Sequence, residues 1–358
     1  MRRALFLAET QGKYALPNPK VGAVLVKAGR IVGEGATGPY GGPHAEVVAL
    51  RKAGARAKGA TLYVTLEPCN HYGKTPPCVD AILKAGVRKV VAATEDPFPL
   101  VRGMGFKRLR KSGIEVKTGL LEREARLVNE SFLLSVRRGR PEVILKAAVS
   151  LDGKIATAGG RSKWITGEKA RKKTHELRSQ ADALLVGTRT VLKDNPSLTV
   201  RLPGYNRKDG WPLRIVLDSR LQLSLRARVF QGIPQTIVFS GPKASSAKAR
   251  ALEKKGIRVF RVPMHQKVLS LRAILKILHE LNVRTLLVEG GGQVHASFLR
   301  EKLADKVALF LSPKIFGGNA PAWVGGKGIK NPNRAPSLEG IQWEKVGNDY
   351  LLTGKVRA

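Results

Sequence analysis

The strongest constraint on the fold is an alternation of short β-branched runs with helical segments that stops once and then restarts. Val21–Val26 is apolar and β-branched, turns at Ala28-Gly29 and resumes at Ile31-Val32, which predicts a hairpin. His44–Lys52 carries Val47, Val48 and Leu50 in a helical setting, and Thr61–Leu66 reads as a buried strand. Cys78–Ala85 is a helix stopped by Gly86, Val87–Ala93 a strand, Phe106–Ser112 a basic helix stopped by Gly113, and Ile114–Lys117 a strand. The breaker cluster Arg137-Arg138-Gly139-Arg140-Pro141 then interrupts the pattern. Beyond it, strands are predicted at Val143–Val149, Ala183–Val186, Leu213–Leu217, Thr236–Phe239, Gly256–Val262, Thr285–Val288 and Lys306–Leu311. Helices fall at Glu168–Arg178, Leu269–Leu281 and His295–Leu303. Two α/β domains are expected, residues 1–140 and 141–358, which suits a chain of 358 residues.

Composition matters chiefly through charge. Lys and Arg number 64 against 27 Asp and Glu, a formal net charge of +37. Such a surplus raises the question of a polyanionic partner, whose footprint is a localised basic patch. Here the surplus is even: 25 basic against 11 acidic side chains to residue 140, and 39 against 16 after it. There is no polybasic tail or Arg-Gly repeat, so a general surface bias explains the pattern better than a nucleic-acid-binding arm. No apolar run reaches the roughly 18 residues a membrane span needs. The N-terminus is basic, then briefly apolar, and runs into Glu9 without a long apolar region, so no secretory signal is expected. A cytoplasmic protein is the default expectation.

The chain has two cysteines, Cys69 and Cys78. Two such residues are ordinarily unrelated packing thiols. Their setting argues otherwise. Cys69 closes Thr65-Leu66-Glu67-Pro68-Cys69, where a strand meets a Pro-Cys turn, and upstream stands Pro43-His44-Ala45-Glu46. A His-x-Glu followed by Pro-Cys and a second Cys is the pattern of zinc-dependent deaminases. His44, Cys69 and Cys78 supply the N/S ligands Zn²⁺ prefers and leave a fourth position open. Glu46, two residues from His44 at a helix start, supplies the carboxylate that moves protons. His175, His265, His279 and His295 lack ligand-spaced partners and read as surface or packing residues.

The eight residues between the cysteines, Asn70-His71-Tyr72-Gly73-Lys74-Thr75-Pro76-Pro77, differ from general cytidine deaminases and resemble the bifunctional deaminase/reductases of riboflavin biosynthesis. Pro17-Asn18-Pro19-Lys20-Val21-Gly22-Ala23-Val24 is similar to that family's opening motif. In the second half the resemblance continues through Lys146–Ala156, Ser162-Lys163-Trp164-Ile165-Thr166-Gly167, Asp182–Gly187, Asp194–Arg201 and Glu289-Gly290-Gly291. It implies a cytidine-deaminase-like three-layer domain followed by a dihydrofolate-reductase-like domain. It also implies two reactions: removal of the 2-amino group of a phosphoribosylaminopyrimidine, then NADPH-dependent reduction of its ribosyl to a ribityl chain. The partners implied are the phosphorylated pyrimidine, NADPH and further copies of the chain, as a dimer or tetramer.

By the same resemblance Asn18, His71 and Lys74 contact substrate in the first domain. In the second, Lys154 and Asp194 handle substrate and protons, and Ser162, Trp164, Arg178, Arg201 and Glu289 line the substrate. Arg suits a phosphate because its fork matches the oxygens. Trp164 alone reads equally well as core packing. Thr166, Gly187, Thr190 and Asp194 resemble cofactor-side positions. Gly290 and Gly291 before a helix would admit a pyrophosphate to helix amides.

The resemblance breaks in places. The usual Asp-Pro-Asn-Pro is Asp96-Pro97-Phe98-Pro99, and Phe98 lacks the amide's donor and acceptor, though its ring can stack on a pyrimidine. Met104, Thr37 and Ala15 replace a basic residue, a His and a Thr. These departures bear on substrate selection and motivate a second reading in which only the reductase works. A third reading, an RNA-editing deaminase, fits the charge. It leaves the second domain unexplained, and with aromatics at 6% the chain is poor in stacking groups.

Overall fold

The computed structural model describes all residues except 13, 14, 16, 99, 100, 206–210, 267 and 358. Pro99 therefore lies outside the described residues. The chain divides into two compact units, Met1–Gly139 and Arg140–Ala358. No described helix is long and apolar enough to cross a membrane.

In the first unit, strands β1 (Gly22–Lys27), β2 (Arg30–Ala36), β3 (Thr61–Val64), β4 (Lys89–Ala92) and β5 (Glu115–Thr118) form one sheet in the order β2-β1-β3-β4-β5. The predicted hairpin joins β1 to β2, with both turn residues, Ala28 and Gly29, at positive φ. β1 pairs antiparallel with β3, and β3, β4 and β5 run parallel. Alternate side chains of β1 serve opposite faces, as a pleated strand requires. Ala23 and Leu25 pack with helix α2 (Ala45–Ala53) and with Ile82 of α3 (Cys78–Lys84) and Leu109 of α4 (Met104–Lys111). Val24 faces Ala4 and Leu7 of α1 (Arg2–Thr10). On that side Leu5 also meets Ala125 of α5 (Glu122–Val128), and α6 (Glu130–Arg138) ends the unit. Three layers result. Side chains at Gly33 or Gly35 would collide with the backbone and side chains of α2, so its start, where His44 and Glu46 sit, lies hard against the sheet.

The second unit is built on a nine-stranded sheet. Its strands are β6 (Glu142–Ser150), β7 (Ala183–Gly187), β8 (Leu213–Leu217), β9 (Thr236–Ser240), β10 (Arg258–Arg261), β13 (Thr285–Val288), β14 (Lys306–Ser312), β15 (Ser337–Val346) and β16 (Asp349–Arg357); Met264–His265 and Val268–Leu269 form a separate small pair, β11 and β12. The order is β10-β9-β8-β7-β13-β6-β14-β16-β15, parallel through β14 and antiparallel at β16 and β15. One face packs on α10 (Leu271–Glu280) and α11 (Gly292–Arg300), with Leu145, Leu185, Ile237 and Val288 meeting Ile274, Leu278 and Phe298. The opposite face carries α9 (Ser246–Glu253) and α8 (Thr188–Asp194) against Leu184, Val216 and Val238, and α7 (Glu168–Ser179) against Ala308 and Phe310. Helices on both faces of a mostly parallel sheet leave ligand positions at the strands' carboxyl ends. The terminal hairpin β15–β16 and helices α1, α5, α6, α8 and α9 go beyond the sequence expectation.

Candidate active sites

In the first unit the three predicted ligands converge. His44 ends the loop before α2, Cys69 closes the turn after β3, and Cys78 opens α3. His44 Nδ1 lies 3.2 Å from Cys78 Sγ and 3.5 Å from Cys69 Sγ. All three ligand atoms fall within 4.8 Å of one another. Tetrahedral zinc with bonds of about 2.0 Å to nitrogen and about 2.3 Å to sulfur needs N···S separations near 3.5 Å, so the donor set fits that ion. Backbone placement helps: the Cys78 amide donates to Cys69 Sγ at 3.3 Å, and Val79 N donates to the Cys69 carbonyl at 3.2 Å. His44 Nε2 faces Thr75 Oγ1 at 3.4 Å, which leaves Nδ1 for the metal. Thr75 was not singled out by sequence, although it lies in the quoted loop.

Glu46 is 3% exposed. Burial, reinforced by Cys69, pushes its carboxyl up to about 7. A carboxyl held there gains and loses a proton near neutral pH, as a proton carrier must. The Cys69 thiol is lowered, chiefly by its hydrogen bond with the Cys78 thiol and further by His44.

Around this cluster, His71 is half-buried, its Nδ1 is buried without a hydrogen-bond partner, and its ring centroid lies 6.0 Å from that of Phe98. Asn18 is half-buried on the segment entering β1. The Lys74 Nζ sits 3.9 Å over the Tyr40 ring. Glu67, which sequence reasoning passed over, is buried at 3% and accepts four backbone N–H groups.

In the second unit the glycine-rich strand ends meet. β7 and β13 are neighbours, and Gly187 and Gly290 follow each other closely in space: a Cβ on Gly290 would stand 3.1 Å from Gly187 N. Gly291 N donates to Thr190 Oγ1 at 3.0 Å. Gly291 caps α11 without a side-chain hydrogen bond. Asp194 lies one turn beyond Thr190 on α8 and accepts a 3.0 Å bond from Ser162 Oγ. Lys154 follows β6 and forms an isolated bridge with Ala322, whose carbonyl abuts Gly292. Its Nζ donates to the Gly318 carbonyl at 3.2 Å. Asp152 fixes the same loop by accepting Phe316 N and Gly317 N at 3.1 and 2.8 Å.

Arg178 and Glu289, both expected beside the substrate, pair with each other. Arg178 is no free phosphate fork: Nε and Nη2 grip Glu289 at 2.6 and 2.9 Å, and Nη1 donates to the Thr199 carbonyl at 3.0 Å. Buried Lys146 adds an ion pair to Glu289 at 3.7 Å. Glu289 is thus an internal partner of two cations. Burial alone would raise its carboxyl, but the charges of Arg178 and Lys146 outweigh this and hold it at about 2. The packing alternative for Trp164 also fails, since the ring is 62% exposed with the Arg171 guanidinium 4.5 Å from its centroid. Thr166 is buried and its carbonyl accepts from Arg171. Arg201 is exposed but anchored on the buried His175, through its backbone N at 3.1 Å and its Nε at 3.3 Å. His295 is buried between the Trp323 and Val288 carbonyls, a packing role.

Arg214 is the largest fully buried side chain and was not anticipated. It stands in β8 and donates to the carbonyls of Ser197, Gln231 and Gly232 at 3.0–3.3 Å. Ser197 lies in the loop between Asp194 and Arg201.

Comparison with known proteins concerns both units. Residues 1–94 match the zinc-binding region of cytidine and deoxycytidylate deaminases, and residues 141–352 match the RibD C-terminal domain. The riboflavin biosynthesis protein RibD of Aquifex aeolicus is 46% identical over 98% of this chain and 96% of its own length. The Escherichia coli protein of that name is 40% identical, covering 98% and 97%. Among solved structures, Acinetobacter baumannii RibD superposes with a TM-score of 0.91 at 35% identity, covering 99% of this chain and 97% of that one. A Thermotoga maritima diaminohydroxyphosphoribosylaminopyrimidine deaminase/5-amino-6-(5-phosphoribosylamino)uracil reductase superposes with a TM-score of 0.84 at 40% identity, covering 100% and 97%. Likeness of this extent over both units means that the chain belongs to the RibD family of riboflavin biosynthesis proteins.

Proposed function

We propose that the chain carries out two consecutive steps of riboflavin biosynthesis, deamination in residues 1–140 and reduction in residues 141–358. The observation that carries the reading is the His44–Cys69–Cys78 cluster with Glu46 buried beside it, in a chain of this family. His44, Cys69 and Cys78 would hold zinc, which would supply a water acidic enough to act as the nucleophile near neutral pH. Glu46 would take one proton from the attacking water and pass it to the ring nitrogen, then take the second from the new hydroxyl and pass it to the departing amine. Water replaces the 2-amino group, and ammonia leaves. His71 Nδ1, buried and unpartnered, is available to a polar atom of the substrate, as is the Asn18 amide. Phe98 supplies a ring face in the same wall. Lys74 would have to leave Tyr40 to reach a phosphate.

In the reductase half, NADPH supplies the hydride. Gly187, Thr190, Gly290 and Gly291 would take its pyrophosphate at the start of α11, and Thr166 would serve the cofactor side as well. Lys154 and Asp194 would hold and protonate the sugar oxygen as the ring opens to the ribityl chain. Ser162, Trp164 and Arg201 would line the substrate, with Arg201 as the remaining phosphate fork. Arg178 and Glu289 support this site from within. Two free cysteines used as ligands suit a reducing, cytoplasmic setting. The free outer edge of β15, with Ile341 and Trp343 exposed, supports a homo-oligomer.

The test supplies each intermediate separately. The diaminopyrimidine should release ammonia and then support NADPH oxidation, with one zinc per chain. NADPH oxidation from the deaminated intermediate alone would favour a reductase-only enzyme, the reading that Phe98 and Met104 motivate.

A further inference from the structure

Helix α4 begins without a cap of its own. Its N-cap is Gly103, at φ +70°, with no side chain to accept the first amides. Such amides ordinarily find a Ser, Thr, Asp or Asn at that position. Here the acceptor comes from 36 residues upstream. Glu67 Oε1 takes Gly105 N at 3.0 Å and Phe106 N at 3.2 Å; Oε2 takes Gly103 N at 3.0 Å and Asp96 N at 3.3 Å. A carboxylate at a helix start is favoured by the helix dipole as well as by the bonds. The approach is close: a side chain at Gly105 would collide with the Pro68 carbonyl.

One carboxylate therefore ties two pieces of the deaminase site together. On one side is the turn Glu67-Pro68-Cys69, which delivers a metal ligand. On the other are Asp96–Phe98 and the start of α4. Asp96 in turn accepts Phe98 N at 2.8 Å, and the Phe98 carbonyl accepts Val101 N and Arg102 N at 2.8 and 2.9 Å. The Phe98 ring ends 6.0 Å from that of His71.

We propose that Glu67 is a positioning residue for deamination: it sets the place of the Phe98 wall relative to His71 and thereby governs substrate binding. The inference rests on the deaminase reading given above. Gln cannot substitute, because its NH₂ would face backbone N–H groups that need an acceptor.

The test compares wild type, Glu67→Gln, Phe98→Ala and the double variant, measuring ammonia release and zinc per chain. Losing two of the four hydrogen bonds that Glu67 accepts should raise KM for the diaminopyrimidine about tenfold to a hundredfold, with zinc still near one per chain. In the Phe98→Ala background the same change should raise KM far less, since the wall it positions is gone. A full KM penalty in both backgrounds, an unchanged KM, or a kcat loss that tracks zinc loss would each overturn the proposal. Should Glu67→Gln fail to fold, Glu67→Asp keeps both oxygens at shorter reach and should give a smaller KM increase with the same dependence on Phe98. A wild type that releases no ammonia would instead refute the deaminase reading itself.

Discussion

The two sites use a buried carboxylate in opposite ways. Glu46 is buried with thiols and one imidazole, and its carboxyl is pushed up to about 7. Glu289 is buried with Arg178 and Lys146, and its carboxyl is held at about 2. The first can exchange a proton at neutral pH, and the second cannot. Burial is common to both, so the neighbours decide whether a buried acid serves chemistry or architecture.

The largest effect should come from the metal. Chelation, or Cys78→Ser, should abolish ammonia release while leaving NADPH oxidation from the deaminated intermediate untouched, assayed on the same sample. Next comes the proton carrier: Glu46→Gln should lower deaminase kcat by about 10²–10⁴-fold with zinc content unchanged. Ammonia release at full rate would break the contrast at its first member. The second member should answer in stability. Glu289→Gln leaves two buried cations without their counter-charge and should cost about 3–5 kcal/mol, read as a fall in the melting of the reductase half.

The pH response follows from the same pair. Glu289's folded value lies below the ordinary 4.5, so its contribution is complete above about 4.5 and is lost as pH falls toward about 2. Acid titration of wild type against Glu289→Gln should converge over that window. The smallest effect belongs to Trp164→Ala: an exposed ring should change stability by less than about 0.5 kcal/mol and raise the reductase KM only modestly.

What sequence could show depended on how local each feature is. The ligands lie in two short motifs, His44-Ala45-Glu46 and Pro68-Cys69 with Cys78 nine residues on, each recognisable by itself, so the metal centre was legible. The hairpin and the central strands were legible because their apolar residues alternate or run together. Helix α1 hides because only Ala4, Leu5, Leu7 and Ala8 face inward. Strand β15 hides because almost every side chain on it is exposed, which leaves no alternation to read. The Arg178–Glu289–Lys146 group joins α7, β6 and the end of β13, and no spacing rule connects them. Glu67 was obscured for the same reason, since capping across 36 residues leaves no local pattern.

Arg214 gives the charge surplus a different meaning. A chain with 64 cationic and 27 anionic side chains cannot match each cation with an anion. Arg214 shows how the excess can even enter the interior: three peptide carbonyls accept from Nη1 and Nη2 of its guanidinium where water or a carboxylate would otherwise stand, while Nε is buried without a partner. The backbone here acts as the solvent of an ion. Solvation of that kind is built into the loops that provide it, so the carbonyls of Ser197, Gln231 and Gly232 are as much bound by the ion as the ion is by them.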